Sequence, residues 1–379
     1  MTLFIDVTGF GLIIPLLPLF AETFHSGSAA LGILVASFSL MQFIFSPILG
    51  RISDKVGRKP VLVISILTSA ASFLLFAIAN SFLLLLLSRI VAGLATETAV
   101  AQAYISDITS QKERTSGMGK VGAAHGAGFI IGPALGGLLT GYGFSVPGFT
   151  AFFLTLVNLL FVLFFLPESP RTKESDLLFS SSSTSFFGRI SSAFTQPLVG
   201  SALLIFFIVY LSFSAIPVIV PLLGVTFFGF ESAEMSYFFM YIGAVQIILQ
   251  GGLLGRLTKK FDEEKLIAFG PLLMIPGVFL MPLIPNIAVF TLSLTMISVG
   301  SSIMRTVVPS FISRITSPKE QGGILGVANS VASIATVPGP LIGGLLFEVA
   351  GLSTPFFASA AILIIAFGIG CRIFNSGAR

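Results

Sequence analysis

Twelve apolar runs, separated by short clusters of charged and turn-forming residues, constrain this chain more than anything else in it. They lie near residues 2–22, 30–50, 61–79, 82–104, 117–140, 148–166, 199–223, 233–254, 266–284, 287–310, 322–346 and 355–373. A helix needs about 20 apolar residues to cross a hydrocarbon core ~30 Å thick. Twelve crossings therefore use about 240 residues, most of the 379 available. Only 9% of the residues are charged and 55% are hydrophobic, whereas roughly a quarter are charged in soluble domains, which excludes a water-soluble enzyme. Pro15, Pro18, Pro217 and Pro221 fall inside runs, where neighbouring helices can satisfy the carbonyls that proline frees. The expected fold class is an all-α membrane protein with twelve transmembrane helices.

The formal charge of +4 does not by itself distinguish a nucleic-acid binder from a membrane protein, so the placement of the cations decides. Arg51, Lys55, Arg58 and Lys59 follow the second run, Lys112, Arg114 and Lys120 the fourth, and Arg171, Lys173 and Arg189 the sixth. Arg256, Lys259, Lys260 and Lys265 follow the eighth, Arg314 and Lys319 the tenth, and Arg372 and Arg379 the last. The odd-numbered connections carry no Lys or Arg, only Glu22, Glu231, Glu234 and Glu348. By the positive-inside rule the even connections and both termini are cytoplasmic. The basic charge is then topology, with some attraction to anionic lipid, and no nucleic-acid partner is expected. The first run contains Asp6 and has no basic flank before it, so a cleaved signal peptide is not expected. A single cysteine, Cys371, and two distant histidines leave no disulfide and no Cys/His metal site.

The sequence repeats. GPALGGLL at 132–139 returns as GPLIGGLL at 339–346, and YISDITSQKE at 104–113 as FISRITSPKE at 311–320, both at a spacing of 207 residues. LGR at 49–51 recurs at 254–256. These matches divide the chain into two six-helix halves, residues 1–167 and 199–379, joined by a cytoplasmic linker, 168–198, that is charged, then Ser-rich, then amphipathic enough to lie on the membrane surface. Parallel repeats place a substrate site near the midplane between the halves.

Polar residues indicate which runs line that site. The third, sixth, ninth and twelfth have no ionisable residue within 61–79, 149–166, 266–283 and 355–371 and suit a lipid-facing position. Asp6, Arg89, Glu97, His125 and Arg305 lie in the first, fourth, fifth and tenth runs. They are costly in hydrocarbon and belong against protein or a wet cavity. Gln102 adds neutral polarity to the fourth run. Arg89 and Glu97, eight residues apart, lie about 12 Å apart along a continuous helix, too far for direct pairing. His125 fits either a titrating site or a neutral, hydrogen-bonded interior histidine. Arg305 lies toward the cytoplasmic end of its run and is expected to snorkel. Phe10, Phe206 and Phe213 are candidates for stacking on a planar substrate.

DVTGFGLIIPLLP at 6–18, GRISDKVGRKPVL at 50–62, SRIVAG at 88–93 and GAAHGAGFIIGPALGG at 122–137 together resemble the major facilitator superfamily. Within it they resemble the drug:proton antiporters of the tetracycline and multidrug efflux type. The resemblance covers essentially the whole chain. It implies the major facilitator fold and a substrate or proton role for Asp6, where tetracycline pumps carry an acid, and for Arg89, in the arginine motif of helix 4. Gly132, Pro133, Gly136 and Gly137 resemble a helix 5 signature of exporters. In one respect the sequence departs from tetracycline pumps: LIAFGPLLMIPGVFLMPL at 266–283 lacks the acid their ninth helix carries, which shifts coupling onto Asp6 and Glu97.

The motifs also have physical readings. Gly50 and Gly57 permit a tight turn between the second and third helices, and Asp54 there pairs with Arg58 or caps a neighbouring helix. With Asp107 and Arg114 these form a cytoplasmic charge cluster that breaks as the halves rock, while Lys55 and Lys59 read as topology alone. Gly132 and Gly136, with Gly122, Gly126 and Gly128, allow close helix approach, either against the opposite half or as ordinary small-residue packing. No Walker-type phosphate loop is present, and no cofactor is implied. The expectation is a monomeric secondary transporter of the plasma membrane that exports small amphipathic, uncharged or cationic compounds in exchange for protons. A proton-coupled sugar or metabolite carrier is the alternative, and a non-transporting receptor on the same fold is less favoured.

Overall fold

The computed structural model describes residues 1–24, 27–95, 97–109, 111–169, 193–316 and 321–377, except for the side chains of residues 19, 21–22, 111–119, 232, 251–252, 321–323 and 376–377. Every regular element among them is helical. The first half contains α1 (Thr2–Ile13), α2 (Leu17–Thr23), α3 (Ser28–Val56), α4 (Arg58–Ala77), α5 (Phe82–Leu94), α6 (Glu97–Ile108), α7 (Gln111–Thr140) and α8 (Ser145–Phe165). There follow α9 (Pro197–Ser214), α10 (Ile216–Phe228), α11 (Ser232–Ile248), α12 (Leu254–Lys260), α13 (Glu263–Leu280), α14 (Ile287–Ile315), α15 (Gln321–Ala335), α16 (Pro338–Ala350) and α17 (Thr354–Gly377). Each of the twelve apolar runs falls on one helix or on consecutive helices. Among the described residues, 9 helical stretches are long and apolar enough to cross a membrane, and Thr2–Leu16 and Ala233–Ile248 are shorter apolar helices.

Where a run is divided, the backbone usually gives the reason. Pro15 cannot donate to the ladder and clashes with the carbonyl one turn back, and the chain answers with a 3-10 turn, Ile14–Leu16. Pro217 opens α10 after Ala215, and Pro338 opens α16 after the turn at Thr336 and Val337. The eighth run passes through a π-helical turn, Leu249–Leu253, at Gly251 and Gly252. The fourth run breaks without a proline: Ala95 is extended, at φ −79° and ψ 125°. The second and third runs lengthen instead. α3 continues to Val56 and α4 begins at Arg58, so the only turn between them is Gly57 at φ 118°, a value L side chains rarely adopt. Gly50 is therefore an interior helical residue of α3, with open space where a Cβ would be, and not part of the turn expected from sequence.

Burial on these helices is inverted relative to a water-soluble protein. On α8, Phe153, Val157, Leu160 and Phe164 are exposed, whereas Ala151, Thr155, Asn158 and Val162 are buried. On α4, Ile64 and Leu67 face outward and Ser65, Ser69 and Ser72 are buried. Large apolar side chains on the outside with small and hydroxyl residues inside suit a hydrocarbon solvent, where helices associate through close backbone approach and hydrogen bonds. Phe269, Leu272 and Phe279 on α13 and Ile364 and Ile365 on α17 are likewise exposed. All four helices free of mid-span charge thus present apolar surface.

The chain forms two compact units: one holds the helices from α1 to α8 with Phe230–Gly243, the other α9, α10 and the chain from Ala244 onward. In the first, α1 packs on α7 and α8, α4 on α5 and α8, and α3 on α5. In the second, α13 packs on α14 and α17, and α9 on α14, α15 and α17. The linker residues 170–192 lie outside the described residues, as does the side chain of Arg114.

Candidate functional site

The embedded charges of the first unit come from three different helices. Asp6 is half-buried on α1, Glu97 is 3% exposed in the first turn of α6, and Arg89 is 1% exposed on α5. The carboxyl groups of Asp6 and Glu97 are close enough to interact electrostatically. Ser69 of α4 donates to Glu97 Oε1 at 2.6 Å, and Ser72 donates to the Ser69 carbonyl at 2.8 Å. Among the described residues neither carboxylate forms a salt bridge. The break at Ala95 overturns the continuous-helix geometry expected for Arg89 and Glu97, because they stand on separate helices, α5 and α6. Glu97 gains a favourable position at the start of α6, where the helix dipole suits a negative charge.

Arg89 meets the ring of Phe76, its guanidinium carbon 5.6 Å from the centroid, and its Nε donates to Ser88 Oγ at 3.4 Å. Its Nη2 is buried without a hydrogen-bond partner among the described residues. A buried guanidinium with an unused donor is costly unless it serves something else. Ser65 Oγ and Asn158 Oδ1, on α4 and α8, are also buried without partners, so the same unit has several unspent polar groups. Gln102 and His125 are exposed on α6 and α7. His125 stacks on Phe129 at 5.8 Å. Of the proposed stacking rings, Phe206 is buried against Tyr210, whereas Phe10 is half-buried beside Phe38 at 5.0 Å.

A second cluster centres on Arg58. Its Nη1 bonds Asp54 Oδ1 at 2.5 Å and Ser53 Oγ at 2.6 Å, and its Nε donates to Asp107 Oδ2 at 2.8 Å. The Arg58 side chain is only 12% exposed, so the fork of the guanidinium joins α3, α4 and α6 in a partly desolvated site. Asp54 thus pairs with Arg58 and does not cap α4. The cap is Glu168, which sequence reasoning missed: its Oε1 accepts from the backbone N–H of Arg58 at 2.7 Å and of Lys59 at 3.2 Å. Ser169 donates to Asp107 Oδ2 at 3.2 Å, and the Tyr104 hydroxyl donates to the Pro167 carbonyl at 3.0 Å. Lys59 Nζ reaches the Leu163 carbonyl at 2.9 Å. The start of the expected linker is therefore anchored to the same cluster. In the second unit, Arg314 bonds Glu263 at 2.9 Å and Glu264 at 2.6 Å.

The helix 5 glycines pack within their own unit. A Cβ on Gly132 would stand 2.6 Å from the Thr8 carbonyl oxygen and 2.8 Å from Gly11 Cα, and one on Gly136 would stand 2.5 Å from the Leu12 carbonyl oxygen. Pro133 Cδ lies 2.9 Å from where a Gly11 Cβ would be. These residues hold α7 against α1, the close small-residue packing that was one of the two readings of the sequence. Gly137 instead faces Ser236, in the Phe230–Gly243 stretch that belongs to the same compact unit. Arg305 does not snorkel as expected; its guanidinium lies over the rings of Tyr210 and Phe213, at 5.3 and 4.9 Å.

Comparison with known proteins agrees with this architecture. The family model described as Major Facilitator Superfamily matches residues 1–295 and 252–376. Multidrug resistance protein 2 of Bacillus subtilis is 29% identical over 97% of this chain and 92% of its own length. The class D tetracycline resistance protein of Salmonella ordonez is 33% identical over 91% of this chain and 87% of its own length. Among solved structures, a bacterial homolog of the human lysosomal transporter Spinster, in an inward-facing and occupied conformation, superposes with a TM-score of 0.80 at 17% identity, covering 99% of this chain and 95% of the other.

Proposed function

Since the chain belongs to the Major Facilitator Superfamily, whose members are multi-pass membrane transporters and not enzymes, we propose that it exports small amphipathic compounds in exchange for protons. In this reading the two six-helix halves give alternating access across the plasma membrane, with both termini cytoplasmic. The observation that carries the reading is the pair of embedded carboxyl groups, Asp6 and Glu97, near each other and without a salt bridge among the described residues. An ionisable residue within a membrane span is costly and is retained for function. A carboxyl is also the group able to load and release a proton in each cycle. Arg89 supplies a fixed positive charge in the same half, and the spare donor on its Nη2 is suited to a substrate or to a carboxylate as the unit changes shape. The relatives named for multidrug and tetracycline resistance support a drug-like cargo, and the even-numbered basic connections support the orientation.

The test is reconstitution of the full chain in proteoliposomes with an imposed pH gradient and a panel of lipophilic drugs. Gradient-driven drug movement with counterflow of protons is the expected result. Glu97→Gln and Asp6→Asn should each abolish accumulation against a gradient while leaving downhill exchange measurable. Intact gradient-driven accumulation in both variants would remove the carboxyl pair from the coupling step.

A further inference from the structure

In the second unit a single cation stands in the body of a transmembrane helix. Arg305 is the nineteenth residue of the 29 in α14, about 15 Å along the axis from the basic end at Ile315. That is farther than its side chain reaches. Acidic residues of α13 and α14 are confined to Glu263 and Glu264 at one end of α13, and these bond Arg314. Among the described residues Arg305 has no salt bridge and no hydrogen bond. Its contacts of this kind are the faces of Tyr210 and Phe213, at 5.3 and 4.9 Å.

Two aromatic faces stabilise a guanidinium through its π-facing surface and leave its edge, with five N–H donors in a planar fork, free for another partner. Ser302, one helical turn before Arg305, and Ser212, beside Phe213, are both buried with hydroxyl oxygens that have no partner among the described residues. The internal repeat sharpens this. Adding the repeat spacing of 207 to Asp6 gives Phe213, and adding it to Thr98, the neighbour of Glu97, gives Arg305. The place that holds two carboxyl groups in the first half holds a guanidinium and rings in the second.

We propose that Arg305, seated on Tyr210 and Phe213, is a binding site for amphipathic organic anions, receiving a carboxylate on its fork while the rest of the ligand lies against apolar surface. A planar fork is the arrangement that takes a carboxylate through two parallel hydrogen bonds. The site extends the cargo beyond the uncharged and cationic compounds expected from sequence. It deepens the export reading by naming a substrate class, yet it does not require proton coupling, so the two fail separately.

The test compares 2-naphthoate with its neutral isostere 2-naphthamide, by equilibrium binding to the purified full-length protein. The wild type should bind the anion at least about ten-fold more tightly, as one charge-assisted bidentate contact allows. Arg305→Gln should bring the two affinities together chiefly by weakening naphthoate, with folding of the variant reported separately by a monodisperse peak and an unchanged unfolding midpoint in detergent. Arg305→Lys, with the charge but not the fork, should keep an intermediate preference. A measurement on the wild type alone guards against misfolded variants: phenylglyoxal modification of Arg305, mapped by mass spectrometry, should be slowed by naphthoate and not by naphthamide. Equal affinities in the wild type, an undiminished preference in Arg305→Gln, or modification indifferent to naphthoate each overturn the proposal.

Discussion

Replacing Gly132 by alanine tests the α1–α7 contact against a control on the same helix. A Cβ added there meets the Thr8 carbonyl oxygen at 2.6 Å and Gly11 Cα at 2.8 Å, whereas ordinary contact begins at 3.4 Å. The obstacles are backbone atoms and cannot swing aside, so the helices must separate by about 0.8 Å, a gap that forfeits a quarter to a half of the dispersion energy along the seam. Overpacking of this kind costs up to ~3 kcal/mol, and the better helix propensity of alanine returns about 1 kcal/mol. The net loss is about 2 kcal/mol, or a Tm drop of about 4–8 °C for a unit of this size. Gly122, also on α7, has nothing within 4 Å of its Cβ position. Gly122→Ala should therefore gain about 1 kcal/mol of propensity and raise Tm by about 2–4 °C. Thermal unfolding of the purified protein in detergent, followed by loss of the monodisperse peak, measures both. The reasoning fails if Gly132→Ala melts at or above Gly122→Ala.

Three further outcomes follow from the charged clusters. Glu97→Gln and Asp6→Asn should each uncouple drug accumulation from the pH gradient, as measured in proteoliposomes. Arg58→Lys keeps the charge but loses the fork that serves Asp54, Asp107 and Ser53 together, so it should cost about 2 kcal/mol in thermal unfolding and slow transport. Asp262, outside the spans, has its carboxyl held below the ordinary value chiefly by the hydrogen bond from Lys265. Because that value is lowered by folding, its contribution is complete above pH ~4 and is lost as pH falls through the folded value. Asp262→Asn should flatten that part of a Tm–pH curve and lower Tm by a small amount that no longer depends on pH above ~5.

The spans were legible because a hydrocarbon solvent imposes a length and a composition that survive even where a helix is divided. Pro15, Pro217 and Pro338 mark breaks that could be read locally. Ala95 does not: the nearby close approach, where a Cβ at Gly93 would run into the Phe38 carbonyl of α3, has no sequence signature in α5. Within the Arg58 cluster, the i,i+4 spacing of Asp54 and Arg58 announced their pairing, whereas Glu168 caps α4 from 110 residues away. Its one local signal was an acid directly after Pro167, at the end of the sixth apolar run. Ser69 was equally silent, since a serine in an apolar run reads as small-residue packing until Glu97 is placed beside it.

The repeat separates what had to be duplicated from what did not. At a spacing of 207, Gly132 and Gly136 correspond to Gly339 and Gly343. The second pair is packed in the same manner: Gly339 lies against the Leu211 carbonyl and Gly343 against Ala215, as Gly132 and Gly136 lie against Thr8 and Leu12. Close approach of the fifth helix to the first, and of the eleventh to the seventh, is thus a property of both halves, fixed by residues with no side chain to vary. The charged positions were not copied. Asp6 corresponds to Phe213 and Glu97 to Met304, which is fully buried, while the second half places its cation one residue on, at Arg305. A scaffold kept by glycine lets the two halves carry different charges at corresponding positions. Under the proposed function, that division gives proton exchange to the carboxyl groups of the first half and leaves the guanidinium of the second for the cargo.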